Sequence, residues 1–356
     1  MIFSVTIALV LAFGAALLVI PFARRGALKI GFVDQPGGRK EHEDAVPPIG
    51  GLIIFSIYIL LLLFGGDDFM AALSQFWPLI AALLVLLIVG ALDDYRGIPP
   101  WPKFTAQFVA AFLVVIPGGA QLHHLGDLFG FGEFELGFMT IPFSVIATVL
   151  LINAINLMDG LDGLAAGKSF VILLWMVIAC LVAGQVGALI PILPLLGALA
   201  GFLFYNMRHP LRARASIFLG DAGSMALGLM VAWVSIGLAQ GTHPVIVPIS
   251  VAWILALPIM DTCAQFYRRA REGRHPFSPD RGHFHHHLVH AGIPVGRSTF
   301  LILALAFILG GVGYVGALVG VPQWLLTIIW ISLLFSHMAL SFKPDRYIKF
   351  FEQFED

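Results

Sequence analysis

Asn153, Asn156, Asp159 and Asp162 recur at three-residue spacing in the segment Asn153-Ala-Ile-Asn-Leu-Met-Asp-Gly-Leu-Asp-Gly-Leu-Ala-Ala-Gly167, between two apolar runs long enough to cross a membrane. Amides and carboxylates are expensive at membrane depth, and where they occur there they mark function. Each three-residue step turns an α-helix by about 300°, so a straight helix would hold Asn153 and Asp162 on opposite faces. Gly160 and Gly163 predict a helix end or bend that lets the four side chains converge. The expected centre of that convergence is a polar ligand with a metal ion. The plainer alternative is a helix break lining a structural water cavity.

Three more polar clusters share this character. In Asp93-Asp94-Tyr-Arg-Gly-Ile-Pro-Pro-Trp-Pro-Lys103 the adjacent carboxylates repel, which implies a nearby cation: a metal, Lys103 or Arg96. Alone, the pair also suits a solvated turn. In Ile217-Phe-Leu-Gly-Asp-Ala-Gly-Ser224, Gly220 and Gly223 flank Asp221 and permit close backbone approach. The helix that follows offers free N–H groups for phosphate, unless Asp221 simply caps it. The fourth cluster, Pro279-Asp-Arg-Gly-His-Phe-His-His-His-Leu288, holds His283, His285, His286 and His287. No cysteine or spaced carboxylate completes a closed zinc set there. Imidazoles beside arginines suit phosphate oxygens, and a plain solvated loop is the alternative. Carboxylates and an amide are hard oxygen ligands of the kind Mg²⁺ takes together with substrate phosphates. The four clusters together point to phosphoryl chemistry at a membrane surface.

The elements that must position them are membrane helices. The chain is 59% hydrophobic and 12% charged over 356 residues, with a mean hydropathy of +0.93. A soluble domain of that size cannot hide so much apolar surface. Cys180 and Cys263 lie inside apolar runs and build neither a disulfide framework nor a metal knot. The first apolar run precedes Arg24 and Arg25, the reverse of a secretory signal, and reads as an uncleaved helix with its N-terminus outside. Hydropathy predicts an all-α polytopic protein of about eleven transmembrane helices, starting near residues 3, 49, 71, 103, 140, 167, 189, 222, 245, 298 and 322. Alternating sides then puts all 20 Lys and Arg residues on one face. The other face receives only Asp67, Asp68, Asp127, Glu133 and Glu135. The basic face is read as cytoplasmic, with the C-terminus on it. A small outer hairpin is expected near residues 121–138. No internal repeat appears, which weighs against repeat-built transporters. A transporter would also need polar groups through the bilayer, and a non-catalytic scaffold would not need these carboxylates.

At this point the residues resemble the polyprenyl-phosphate N-acetylhexosamine-1-phosphate transferases of glycosyltransferase family 4, relatives of the phospho-MurNAc-pentapeptide translocase. The resemblance runs over nearly the whole chain and in order. It comprises Asp34-Gln-Pro-Gly-Gly-Arg-Lys-Glu-His42, Pro47-Pro-Ile-Gly-Gly51, Asp93-Asp94 with Lys103, the Asn153–Gly163 segment, Phe218-Leu-Gly-Asp-Ala-Gly-Ser224, Leu257-Pro-Ile-Met-Asp261 and Ser278-Pro-Asp-Arg-Gly-His-Phe-His-His-His287. It implies one eleven-helix domain whose loops about 25–48, 91–103, 156–167, 206–222 and 270–298 form the active site on the cytoplasmic face of a bacterial inner membrane. The implied reaction moves a sugar 1-phosphate from a UDP-sugar to undecaprenyl phosphate and releases UMP, initiating a cell-envelope polysaccharide. Ser278–Arg281 is similar to the GlcNAc branch; MurNAc-pentapeptide, FucNAc and QuiNAc are the alternative sugars. Gly282 and His287 depart from the family pattern.

Roles implied by the resemblance follow residue by residue. Asp221 is the leading Mg²⁺ ligand with Asn156 helping, and Mn²⁺ is the alternative ion. Asp93 or Asp94 positions and deprotonates the lipid phosphate while Lys103 steers it. Asp159, Asp162 and Asn153 organise the nucleotide side. Arg281, His283, His285 and His286 hold the diphosphate and sugar, with Lys40 and His42 as weaker candidates. Asp261 either supports the site from below or simply pairs within the bundle. A homodimer is implied by family analogy, and no nucleic acid is expected.

Overall fold

Apolar runs of this length have no water to satisfy their backbone groups inside a bilayer, and helices satisfy those groups within the segment. A computed structural model describes residues 2–34, 45–66, 69–241, 244–274 and 282–342. Among them the regular structure is helical throughout: α1 (Ile2–Ile30), α2 (Gly50–Phe64), α3 (Phe69–Arg96), α4 (Pro100–Val115), α5 (Thr140–Leu157), α6 (Leu164–Val182) and α7 (Leu193–Asn206). After these come α8 (Gly220–Ala239), α9 (Pro248–Ile254), α10 (Ala256–Arg271), α11 (Phe284–His290), α12 (Val295–Leu318) and α13 (Gln323–Ser341). A helix begins within four residues of each of the eleven expected starts. Eight helices are each long and apolar enough to cross a bilayer, or nine spans if α9 and α10 count as one. α2 and α4, at 15 and 16 residues, are shorter.

Two expectations are modified. The run expected to start near 245 is broken into α9 and α10, bent by 73°. Pro258 has no N–H to give the Ile254 carbonyl four residues earlier, and the helix parts there. The outer hairpin reduces to one isolated bridge, His124 with Glu135, inside a glycine-rich loop. α11 is an addition: the histidine segment, read as a loop, winds into two turns of helix.

α8 is the axis of the bundle. It packs against α2, α3, α4, α5, α6 and α9, and most of its side chains are buried. The neighbours approach through glycine. A Cβ on Gly51 would overlap the Gly223 backbone, and one on Gly90 would overlap the Ala222 backbone. Such small-residue contacts are how helices associate where lipid supplies no hydrophobic drive. The Pro47–Gly51 segment also runs beside the approach to α8. Phe218 N–H donates to the Pro47 carbonyl at 2.9 Å, while Gly50 and Gly51 N–H donate to the Phe218 and Leu219 carbonyls, each at 2.9 Å. This motif therefore fixes the residues just before Asp221.

Overpacking a tight contact costs about 1–3 kcal/mol. Gly90→Ala should lower the apparent melting temperature in detergent by several degrees, whereas Gly26→Ala, whose Cβ would meet nothing, should leave it unchanged. Thermal-shift measurement of the two variants checks this.

Candidate active site

The C-terminal end of α3 meets the N-terminal end of α8. Asp94 accepts the Asp221 N–H on Oδ1 at 2.8 Å and the Ala222 N–H on Oδ2 at 3.2 Å. A carboxylate from another helix thus occupies the free N–H groups of α8, aided by the helix dipole. Two corrections follow. Those N–H groups are not left open for phosphate, and Asp221 is not the cap of its own helix. Asp221 is released to face Lys103, whose ammonium lies 2.7 Å from Asp93 Oδ2 and 3.2 Å from Asp221 Oδ2. Asp93 Oδ1 also accepts the Ile98 N–H at 2.8 Å, which folds the α3–α4 turn back onto the pair. Lys103 is the cation the adjacent carboxylates required.

α5 delivers the second half. Asn156 Nδ2 donates to Asp221 Oδ1 at 2.6 Å and to Ser224 Oγ at 2.9 Å. The helix ends at Leu157, and the turn to α6 closes with Gly163 at φ 79°, a conformation that favours glycine. The four residues of the opening motif do not all converge. Asn156 joins the cluster. Asp159 is reached by solvent from one side of the turn while protein crowds it from the others. Asp162 is drawn aside by Arg208 Nε at 2.7 Å. Asn153 points back into the bundle, donating to Gln107 Oε1 at 2.6 Å and to the Val149 carbonyl. Asn153 is therefore a buried brace between α5 and α4 and touches none of the carboxylates. Surrounding protein withdraws water from Asp159, and Asp221, Asp94 and Asp162 add repulsion, which together push its carboxyl up to about 8.

The histidine helix forms the opposite wall. Arg269 has no acceptor, so at 3.3 Å it donates to His283 Nε2, which assigns the ring proton to Nδ1 and the 2.8 Å contact with Asp261 Oδ2 to a donated bond. Asp261 Oδ1 accepts the Phe284 N–H at 3.0 Å and lies 3.6 Å from His337 Nε2. Both ring nitrogens of His283 are thereby spent inside the protein, and its expected contact with substrate is not what the geometry offers. His285 is 2% exposed, with neither ring nitrogen hydrogen-bonded among the described residues. Its Nε2 faces Gly160 where a Cβ would stand. Burial, with His286 adding to it, holds its imidazole well below the usual range and therefore neutral. His287 is buried, and His286 is the partly exposed member. At Gly282 a Cβ would fall where the Arg268 guanidinium now lies. Lys40, His42 and Arg281 lie outside the described residues.

Residues 76–239 match the family model described as glycosyl transferase family 4. The undecaprenyl-phosphate alpha-N-acetylglucosaminyl 1-phosphate transferase of Escherichia coli (strain K12) is 33% identical over 343 residues, spanning 93% of this chain and 90% of the relative. Its Salmonella typhi counterpart is 33% identical over 341 residues with the same coverage. The Bacillus subtilis (strain 168) protein named "Probable undecaprenyl-phosphate N-acetylglucosaminyl 1-phosphate transferase" is 34% identical over 307 residues, 85% of this chain and 82% of the relative. This chain belongs to glycosyl transferase family 4.

In this family 4 protein the oxygen donors suit a hard cation, but they do not build a closed cage. Among the described residues no group of three or more His, Cys, Asp or Glu side chains is placed to hold one ion. Asp221 with the Asn156 amide beside it fits Mg²⁺ as enzymes commonly hold it, by one or two protein ligands with substrate phosphates completing the shell. Three participants carried little sequence signal. Ser224 shares the Asn156 amide, Arg208 restrains Asp162, and Asn206 braces the turn by accepting the Gly163 N–H at 2.9 Å and donating to the Ile217 carbonyl. Only Ser224 sat inside a recognisable motif. Lys168, 2% exposed, has Met158 Sδ at 3.3 Å as the contact of its ammonium and underpins the same turn.

A carboxyl group raised on folding favours the folded state fully below its unfolded value, near 3.8, and loses that contribution as pH rises toward the folded value of about 8. Asp159→Asn should therefore melt above the wild type at pH 8.5 without divalent ions, with the difference shrinking toward pH 4. Melting curves across that range decide it.

Proposed function

We propose that this chain transfers an N-acetylhexosamine 1-phosphate, foremost GlcNAc 1-phosphate, from its UDP-sugar to undecaprenyl phosphate, giving the lipid diphosphate sugar and UMP. The observation that carries the proposal is the contact set Asp93–Lys103–Asp221–Asn156, which binds the ends of four helices, α3, α4, α5 and α8, into one polar centre at the mouth of a membrane bundle. The names of the relatives support the acceptor and the sugar.

The chemistry follows from charge. An oxygen of the lipid phosphate forms a bond to the sugar-bearing phosphorus, while the bond from that phosphorus to the bridging oxygen breaks and its electron pair leaves on UMP. The acceptor is already anionic at neutral pH, so direct attack needs no covalent enzyme intermediate. Lys103, shared between Asp93 and Asp221, is the cation placed to draw the lipid phosphate in and orient it. Asp94 serves by holding Asp221, not by touching substrate. Mg²⁺, when bound at Asp221 and Asn156, would offset the diphosphate charge as the bond breaks. Asp159, at the cleft, serves the nucleotide side, and the partly exposed His286 meets the sugar diphosphate.

The topology belongs to the same proposal. Eleven crossings, N-terminus outside, place every Lys and Arg on the cytoplasmic face with the carboxylate centre, in a bacterial inner membrane. The shorter α2 and α4 cross by packing against α3, α7 and α8.

Purified protein in detergent with undecaprenyl phosphate and Mg²⁺ should release UMP from UDP-GlcNAc in preference to other UDP-sugars. No release from any sugar by folded protein would end the proposal. Asp221→Asn should lower turnover by at least about 100-fold, the scale of removing a transition-state charge partner, and chelation should stop the wild type until Mg²⁺ is restored.

A further inference from the structure

The loop between α4 and α5 caps the end of the bundle opposite the carboxylate centre. It is ordered by its own hydrogen bonds. Asp127 Oδ1 accepts the Gly130 and Gly132 N–H groups at 2.7 and 3.1 Å, and the Asp127 N–H donates to Gln323 Oε1 at 3.2 Å. Gly130 and Gly132, at φ 82° and 100°, make the turn possible. Gly130 lies against the Trp324 indole. Gln240 at the end of α8 accepts the His123 N–H and donates to the His124 carbonyl, pinning the other side.

Between this loop and the α12–α13 turn opens a cavity of about 380 Å³, lined by Asp127, Gly130, Val247, Ala317, Gln323 and Trp324 among others. Its polar equipment is a carboxylate, an amide and an indole. One oxygen of Asp127 is committed to the loop, and Oδ2 has no hydrogen bond among the described residues. A carboxylate beside an aromatic face is the combination that recognises an ammonium group. Segments 65–69, 116–139, 183–192, 240–247 and 319–322 contain no Lys or Arg; their basic side chains are His123, His124 and His243, against the five acids Asp67, Asp68, Asp127, Glu133 and Glu135. Among the described residues Asp127 makes no ion pair, which leaves its charge for a ligand to meet.

The surroundings identify its source as lipid. Phe131 and Phe138 are 96% and 92% exposed, and Leu318 and Val319 beside the cavity are 60% and 71% exposed. This apolar rim continues into the exposed faces of α5 (Ile141, Ile146) and α13 (Leu325, Ile328), the surfaces a bilayer covers. Trp side chains at helix ends settle at headgroup level, and Trp324 stands exposed at the start of α13. We propose that this cavity binds the ammonium headgroup of a zwitterionic aminophospholipid, with Phe131 and Phe138 seated among its acyl chains. The site is separate from the transfer centre, and its test does not depend on turnover.

Full-length protein in detergent is titrated with phosphatidylethanolamine, with phosphatidylglycerol of the same acyl chains, or with free phosphoethanolamine, and its melting temperature is followed. Phosphatidylethanolamine should raise the melting temperature saturably, while the other two should not. Asp127→Asn retains the oxygen that holds Gly130 and Gly132 but removes the charge, and Trp324→Leu removes the aromatic face. Each should raise the half-saturating lipid concentration about fivefold or more, the loss expected from about 1 kcal/mol. Equal stabilisation by phosphatidylglycerol, stabilisation by free phosphoethanolamine alone, or an unchanged response in the variants would overturn the proposal. Should Asp127→Asn fail to fold, Trp324→Leu decides the matter, with retention of the lipid measured by native mass spectrometry.

Discussion

Two N–H groups at the start of α8 end on one carboxylate, that of Asp94, and the rest of the polar centre is arranged around that contact. The pairing satisfies two backbone donors that a helix start otherwise leaves without a partner. It also joins helices that are far apart in sequence. With α8 anchored, the Asp221 side chain is left to face Lys103 on one oxygen and Asn156 on the other. The neighbouring Asp93 keeps Lys103 in place. Of two adjacent aspartates, one holds the frame and the other tunes the cation; their sequence neighbourhood gave no hint of that division.

The histidine wall works on a different principle. Its charge is absorbed within the protein: Arg269, His283 and Asp261 form a chain in which each group satisfies the next. Such a network is costly to disrupt, because removing one member strands a buried polar group. Its contribution to the cleft is shape and orientation, presented by a short helix. The neutral His285 ring then fits against Gly160 with no room for a side chain. The turn carrying Asp159 and the helix carrying His286 are thus registered by contact between a glycine and an imidazole.

Much of this was legible beforehand, and the reasons are physical. Helix starts follow from hydropathy because a bilayer punishes every unsatisfied backbone group. That Asp93-Asp94 needs a nearby cation, with Lys103 among the candidates, was readable because like charges repel; the association of Asn156 with Asp221 came from the family resemblance. Side-chain direction was not readable. Three-residue spacing in 153–162 suggested convergence, yet Asn153 turned inward to Gln107, a residue from α4 that no local pattern linked to it. His283 looked like a ligand because its partner Arg269 lies on another helix. The bend between α9 and α10 was visible only as Pro258 inside an apolar run.

Gly51, Gly90 and Gly223 sit where α2 and α3 press on α8. A side chain at such an interface can hop between rotamers, and each hop lets the neighbouring helix drift. Backbone pressed on backbone has no rotamers to populate. The position of Asp221 therefore inherits the stiffness of three main chains, and the motion left to its carboxylate is rotation about its own two side-chain bonds. For a centre proposed to bring a large mobile lipid and a charged nucleotide to the same place, the protein partner is the part that stands still.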